Sequence, residues 1–279
     1  MAKRAKSQKP QYRILSGRSY ISVQFKKREM DRSLNAIIVL IIVCIGLFVI
    51  TFMVPDIRVF MFESLALYFP KHENFRYWQY VTNIFMHGGF AHIFFNMYAL
   101  WAFGSPLERM WGRNKFLVFF FLAGIGAAII YTLVNYYRFN IIYDEFISAG
   151  VTPEDINTLL ATGEYEMSAM ATFTEEKLRD FYGLFNTPVV GASGAIYGVL
   201  VAFGILFPNA KLFLIFLPVP IPAKYFIPAL IALDLFSGVT GFSIFGGGIA
   251  HFGHVGGAII GFLLMWYWSG KKVKDRKIH

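Results

Sequence analysis

Gly191-Ala192-Ser193-Gly194-Ala195-Ile196-Tyr197-Gly198 opens an apolar run that continues through Val199-Leu200-Val201-Ala202-Phe203-Gly204-Ile205-Leu206-Phe207. The run is long enough to enter a bilayer, and its small residues give a helix a smooth surface. Gly194 and Gly198 stand one turn apart and line one face, against which a second backbone can pack closely. Ser193 borders that face. Its hydroxyl either bonds back to its own helix and serves packing, or is a nucleophile held against a neighbouring helix.

Composition places the run in a membrane protein. Of 279 residues 56% are hydrophobic and only 15% charged, against about 25% charged in soluble domains. The one cysteine, Cys44, lies in an apolar stretch, which excludes a disulfide framework and a thiolate metal site. The net charge of +9 collects at both termini and in short loops, where it reports topology; no nucleic-acid partner is expected. Residues 1–33 carry ten Lys or Arg and no apolar core, so no cleavable signal peptide is evident. In this basic tail Tyr12, Ile14, Tyr20 and Phe25 either rest on the membrane surface or are scattered through a disordered chain.

Six stretches are apolar enough to span: Leu34–Val54, Tyr80–Phe103, Phe116–Tyr136, Pro188–Phe207, Tyr225–Gly238 and Gly248–Ser269. The fifth is short and contains Asp234, and Leu212–Val219 competes as part of a crossing before Pro218, Pro220 and Pro222 interrupt it. The N-terminal tail, the turn from Arg109 to Lys115 with the adjoining Glu108, Lys211, Lys224 and the C-terminal tail hold 20 basic and 4 acidic residues. The opposite loops hold 6 basic and 12 acidic ones, which predicts both termini in the cytoplasm. The expected organisation is a basic tail over 1–33, a membrane domain over 34–269 with an acidic external insertion over 138–187, and a basic tail over 270–279.

Of the external segments, Pro55–Gln79 is rich in Phe, Tyr and Trp and suits an element lying along the outer leaflet. The insertion has nine acidic residues, and Thr152-Pro153-Glu154-Asp155 is written as a helix cap followed by a Pro start. A second helical piece is expected from Thr174. These signals predict a small folded cap, serving either substrate recognition or no more than a solvated insertion.

The sixth span changes the standing of Ser193. His254 is followed by Gly257 and Gly261, a smooth face with an imidazole at its outer end, so the fourth and sixth spans can pack closely enough for His254 to reach Ser193. Imidazole suits the task because its near-neutral pKa lets it take the serine proton and return it to a leaving amine. No Asp or Glu lies near His254 in sequence, which favours a two-member pair over a triad; Asp234 orients the base only if the fifth span happens to bring it there. His251, one turn earlier, competes for the base role or hydrogen-bonds near the water-facing end. With His254 it has metal-ligand spacing, but no nearby carboxylate or thiol completes a zinc set, and no metal or cofactor is expected. His92 and Asn96 share a face of the second span and either supply oxyanion donors or join helices. Tyr197 either stacks on His254 or packs, and His87 supports the first external loop or admits water.

Together these residues resemble the rhomboid family of intramembrane serine proteases. The resemblance rests on Tyr77-Trp78-Gln79-Tyr80, His87, His92-Ile93-Phe94-Phe95-Asn96, Leu107-Glu108-Arg109, Gly191-Ala192-Ser193-Gly194 with Tyr197, and His254-Val255-Gly256-Gly257 with Gly261. It covers roughly 34–269 apart from most of the insertion, and is to a bacterial member with an enlarged third external loop. It implies an all-α, six-transmembrane-helix bundle in the bacterial inner membrane and a protease of membrane-anchored, often single-span, proteins. Ser193 would be nucleophile, His254 base, His92 and Asn96 the oxyanion side, Tyr197 the ring against the histidine, and Gly257 the point of close helix approach. It also implies substrate entry between the second and fifth spans. Gln79 departs from the family pattern, which often has Arg there, and so leaves the anchoring of the first loop open; Gly253 replaces a common Ala. The alternatives in other classes are a noncatalytic binder of membrane proteins and a transporter using Asp234 and the histidines. Physiological substrate and oligomeric state are left open.

Overall fold

The computed structural model describes residues 35–166, 172–214, 217–242 and 250–276. The tail 1–33 and the Gly246-Gly247-Gly248 turn, whose glycines suit either a mobile cap over the cavity or a merely flexible turn, lie outside them.

The first span is α1 (Ala36–Met53), apolar on every side as a helix in lipid must be. Asn35 places no side-chain cap on it. The Glu108 carboxylate, from α5 (Ser105–Trp111), instead accepts hydrogen bonds from the amides of Ala36 at 2.7 Å and Ile37 at 3.3 Å. An acidic group at a helix N-terminus satisfies orphan donors and complements the dipole. Next comes α2 (Pro55–Leu65), which buries none of its side chains and leaves Val59 and Phe60 each 64% exposed. That exposure fits an element resting on an apolar phase.

The expected second span is not one helix. It enters through α3 (Gln79–Thr82) and a single tight turn at Asn83–Phe85, breaks at Gly88-Gly89, and resumes as α4 (Phe90–Ala99). A widened turn at Leu100–Gly104 then leads into α5, where Pro106 cannot supply the backbone donor a regular helix needs. Gln79 anchors this entry. Fully buried, its Oε1 accepts from the amides of Tyr68 and Arg76, and its Nε2 donates to the carbonyls of Glu63 and Asn74 at 3.0 and 2.8 Å. Thus a neutral amide, which both accepts and donates, holds the first loop where an Arg was expected.

α6 (Arg113–Ser148) overruns the expected third span by reaching into the insertion. There Phe139 and Phe146 pack with Ile156 and Leu159 of α7 (Pro153–Thr162), Leu178 and Phe181 of α8 (Glu175–Asn186), and Phe69 of the first loop. The Phe139 and Phe181 rings stack at 4.7 Å. Thr152 and Asp155 form the reciprocal cap at the start of α7, Thr174 caps α8, and Lys177 pairs with Glu145. The insertion therefore has its own small core.

α9 (Ser193–Leu206) starts five residues later than the expected fourth span. Before it the chain is extended, and Leu67 and Val189 exchange backbone hydrogen bonds at 2.9 and 2.8 Å. Leu212–Val219 is not a crossing, because Lys211–Leu214 and Leu217–Pro222 form an antiparallel hairpin, β1 and β2. The fifth span is α10 (Ala223–Thr240), with Pro228 inside it. The last, α11 (His251–Arg276), runs as helix through residues expected as a basic tail. By length and apolarity α1, α6 and α10 suffice to cross a membrane, and α9 is a shorter apolar helix.

Lipid tails offer helices no hydrophobic drive to associate, so close packing must supply it. α9 lies against α6 and α11 through small residues. A methyl group at Gly198 would meet the Ala123 methyl at 2.6 Å and the Gly257 carbonyl at 3.1 Å; one at Gly261 would meet Gly198 Cα at 2.5 Å. On the other flank of α6, Ile260 sits over Gly126, and Ile130 over Gly256.

Two stability predictions follow from these contacts. Gly261→Ala has only the backbone of Gly198 to press against, so thermal unfolding in detergent should show a loss of about 1–3 kcal/mol, whereas Gly46→Ala, with nothing within 4 Å, should not lower the melting temperature. Gln79→Ala removes the partner of four backbone groups, the buried Tyr68 amide among them, and should cost about 1–3 kcal/mol by the same measurement; an unchanged melting temperature would refute its anchoring role.

Candidate active site

The site begins with the backbone ahead of α9. Gly191 has φ of +123°, a conformation L residues rarely adopt, and its amide donates to the Asn83 carbonyl at 2.9 Å. A side chain there would also collide with His92, since a Cβ would lie 2.6 Å from Nε2 and 3.7 Å from Ser193 Oγ. Glycine is required twice over. The bend makes Ser193 the first residue of α9, so its own N–H precedes the intrahelical hydrogen bonding.

α11 brings the imidazole. Gly257 touches the Gly194 carbonyl so closely that any side chain at 257 would overlap it. With the two backbones in contact, His254 Nε2 lies 2.8 Å from Ser193 Oγ. Tyr197 stacks on the His254 ring at 4.3 Å between centroids and 11° between planes. Both side chains border a cavity that Gly191, Asn83, Tyr131 and Ala250 also line.

One expectation requires correction. The two-member pair has a carboxylate beside it: α10 places Asp234 with Oδ1 3.1 Å from His254 Nδ1 and 2.6 Å from His251 Nδ1. The Tyr197 hydroxyl donates to Oδ2. Asp234 is only 7% exposed, and a buried carboxylate with no donors would be very costly. Here donors from α9 and α11 surround it. His251 therefore faces Asp234, and His254 is the histidine within hydrogen-bond distance of Ser193 Oγ.

The statement that no carboxylate stands near the two histidines is likewise overturned. Asp234, His251 and His254 each offer a ligand atom within 4.8 Å of the others. The 2.6 Å contact between Asp234 and His251 is nevertheless shorter than the edge of about 3.3 Å that two ligands of one tetrahedral zinc would span at ordinary bond lengths. These are separations for a shared proton, and the cluster fits a hydrogen-bond network.

On the opposite wall, His92 Nδ1 lies within 3.5 Å of the Gly88 amide, an arrangement that leaves Nε2 as the protonated nitrogen, above Gly191. Asn96 Nδ2 donates to the His92 carbonyl at 3.0 Å, which uses one of its two amide hydrogens. Among the described residues neither is hydrogen-bonded to Ser193 or His254. His87 is buried, its ring edge-on to His92 at 5.1 Å; its Nδ1 faces the Phe85 carbonyl, and its Nε2 has no hydrogen-bond partner among the described residues. Sequence reasoning passed over Asn83 and Tyr131, whose only local signal was a polar or hydroxyl-bearing side chain within an apolar stretch.

Residues 74–154 and 156–271 match the rhomboid domain family profile. Over 197 residues the chain is 26% identical to the mitochondrial Rhomboid protein 1 of Saccharomyces cerevisiae, covering 71% of this chain and 43% of that protein. It is 28% identical over 196 residues to the rhomboid protease AarA of Providencia stuartii, 67% of this chain and 54% of the other. A 53-residue segment, 19% of this chain and 10% of the relative, is 43% identical to the rhomboid protease GluP of Bacillus subtilis. The chain thus spans about half the length of the first two relatives.

Replacing Gly191 by Ala puts a side chain where φ is +123° and against His92 Nε2, so thermal unfolding in detergent should show a loss of about 1–3 kcal/mol. An unchanged melting temperature would show that the bend and the His92 contact are dispensable.

Proposed function

The chain belongs to the rhomboid family, and on that premise we propose that it is an intramembrane serine endopeptidase acting on single-span or otherwise membrane-anchored proteins in the lipid bilayer. The observation that carries the reading is the 2.8 Å contact between Ser193 Oγ and His254 Nε2 at the edge of a cavity. A serine bonded to an imidazole, rather than to its own helix, is the arrangement an activated nucleophile needs.

Ser193 attacks the carbonyl carbon of the scissile peptide while its proton passes to His254 Nε2. Negative charge then develops on the carbonyl oxygen, where His92 Nε2–H, the free amide hydrogen of Asn96 and the Ser193 N–H are the candidate donors. Collapse expels the amine, which takes the proton from His254, and leaves an acyl-enzyme. A water molecule deprotonated by His254 attacks the ester, and Ser193 regains its proton as the acid product departs. Tyr197 limits the imidazole to rotation within its plane, and Gly257 keeps α11 near enough for the transfer.

The substrate must unwind locally, because a carbonyl inside an intact helix is hydrogen-bonded and shielded. Small or helix-breaking residues near the cut should therefore favour cleavage. Family membership supports sideways entry between α4 and α10. The charge distribution supports both termini in the cytoplasm, and bacterial relatives such as AarA and GluP support a bacterial inner membrane. We read 1–33 as a basic cytoplasmic tail and the insertion within 138–187 as an external cap.

Purified protein in liposomes should cleave a single-span reporter with a destabilised helix. Ser193→Ala and His254→Ala should each lower the rate at least 1,000-fold with normal thermal unfolding. Absence of cleavage across a panel of such reporters, or residual cleavage by Ser193→Ala equal to wild type, would reject the assignment.

A further inference from the structure

We propose that Asp234 is a positioning residue for this reaction, holding His254 as the Nδ1–H tautomer with Nε2 turned toward Ser193. This deepens the protease reading and rests on it. Neutral imidazole carries its proton on either nitrogen, and only the form with a lone pair on Nε2 can accept the proton of Ser193. The geometry selects that form. Asp234 Oδ1 is 3.1 Å from Nδ1, and Ser193 Oγ is 2.8 Å from Nε2, so the two ring nitrogens meet an acceptor and a donor on opposite sides. When the proton arrives on Nε2, the resulting imidazolium stands beside a carboxylate in a buried site, where such an interaction is strongest.

The carboxylate is itself held in place. Tyr197 OH donates to Oδ2, while the Tyr197 ring stacks on His254, so one side chain orients both members. His251 Nδ1 supplies a further donor to Oδ1 at 2.6 Å. The groups facing Asp234 thus come from α9 and α11, while Asp234 comes from α10. Catalytic alignment depends on three helices rather than two.

A carboxylate that merely ties helices together predicts a different outcome from one that fixes a tautomer. Asp234→Asn keeps shape and hydrogen-bonding capacity, but its amide can donate to Nδ1 and so leave the proton on Nε2. For a Ser-His-Asp site this substitution lowers kcat about 10,000-fold through the wrong tautomer. Here a fall in kcat of at least 100-fold is expected, with KM within threefold and an unchanged melting temperature. Asp234→Glu, which restores a carboxylate, should recover at least tenfold of the loss. Nitrogen-15 NMR of histidine-labelled protein, with His254 assigned from the His254→Gln spectrum, should report the Nδ1–H form in wild type and the Nε2–H form in Asp234→Asn.

An Nε2–H tautomer in the wild type overturns the proposal without recourse to any variant. A kcat for Asp234→Asn within threefold of wild type also overturns it, even while Ser193→Ala remains inactive and the protease reading stands. If the wild type cuts nothing yet the tautomer changes on substitution, the protease reading fails and the hold of Asp234 on His254 is upheld.

Discussion

The backbone contact between α9 and α11 governs the rest of the molecule. Gly194 and Gly198 meet Gly257 and Gly261 with no side chain between them, a separation that only glycine allows. Lipid does not push helices together as water does, so where glycine meets glycine the contact must be attractive chiefly through dispersion, and dispersion rewards closeness. The same closeness carries His254 to Ser193. Packing and chemistry are consequences of one constraint, and a side chain that relieved the first would disconnect the second.

Around that contact the chain must place polar groups in an apolar phase. It does so by spending each donor and acceptor locally. Asp234 receives Tyr197, His251 and His254; Gln79 closes four hydrogen bonds around the entry of the second span; Glu108 caps α1 from a different helix. Buried polar groups would otherwise cost several kcal/mol each. The polar centre is thereby also a fastening between α9, α10 and α11, and a movement of α10 would withdraw the carboxylate from His254.

Much of this was legible in the sequence where the signals are local. The glycine spacing of 194, 198, 257 and 261 announced two smooth faces, and Thr152 with Asp155 announced a helix start. The broken second span was not legible, because apolar averaging over Tyr80–Phe103 conceals the interruption at His87-Gly88-Gly89. Asp234 is separated from Tyr197 by 37 residues and from His254 by 20, so its role hinges on the rotation of α10, which no local pattern states. The same holds for Gln79, whose partners lie in a loop of irregular backbone, and for Phe69, which sits in the first loop but packs into the core of the insertion.

Contact between α9 and α11 should make Ser193 reactive, and the rate at which a fluorophosphonate labels Ser193 in intact protein, read by peptide mass spectrometry in wild type and in Gly257→Val, measures that dependence. A single adduct on Ser193 is expected in wild type, with labelling at least 100-fold slower in the variant and its helices retained. Equal rates in the two proteins, or an adduct on another serine in place of Ser193, would contradict it.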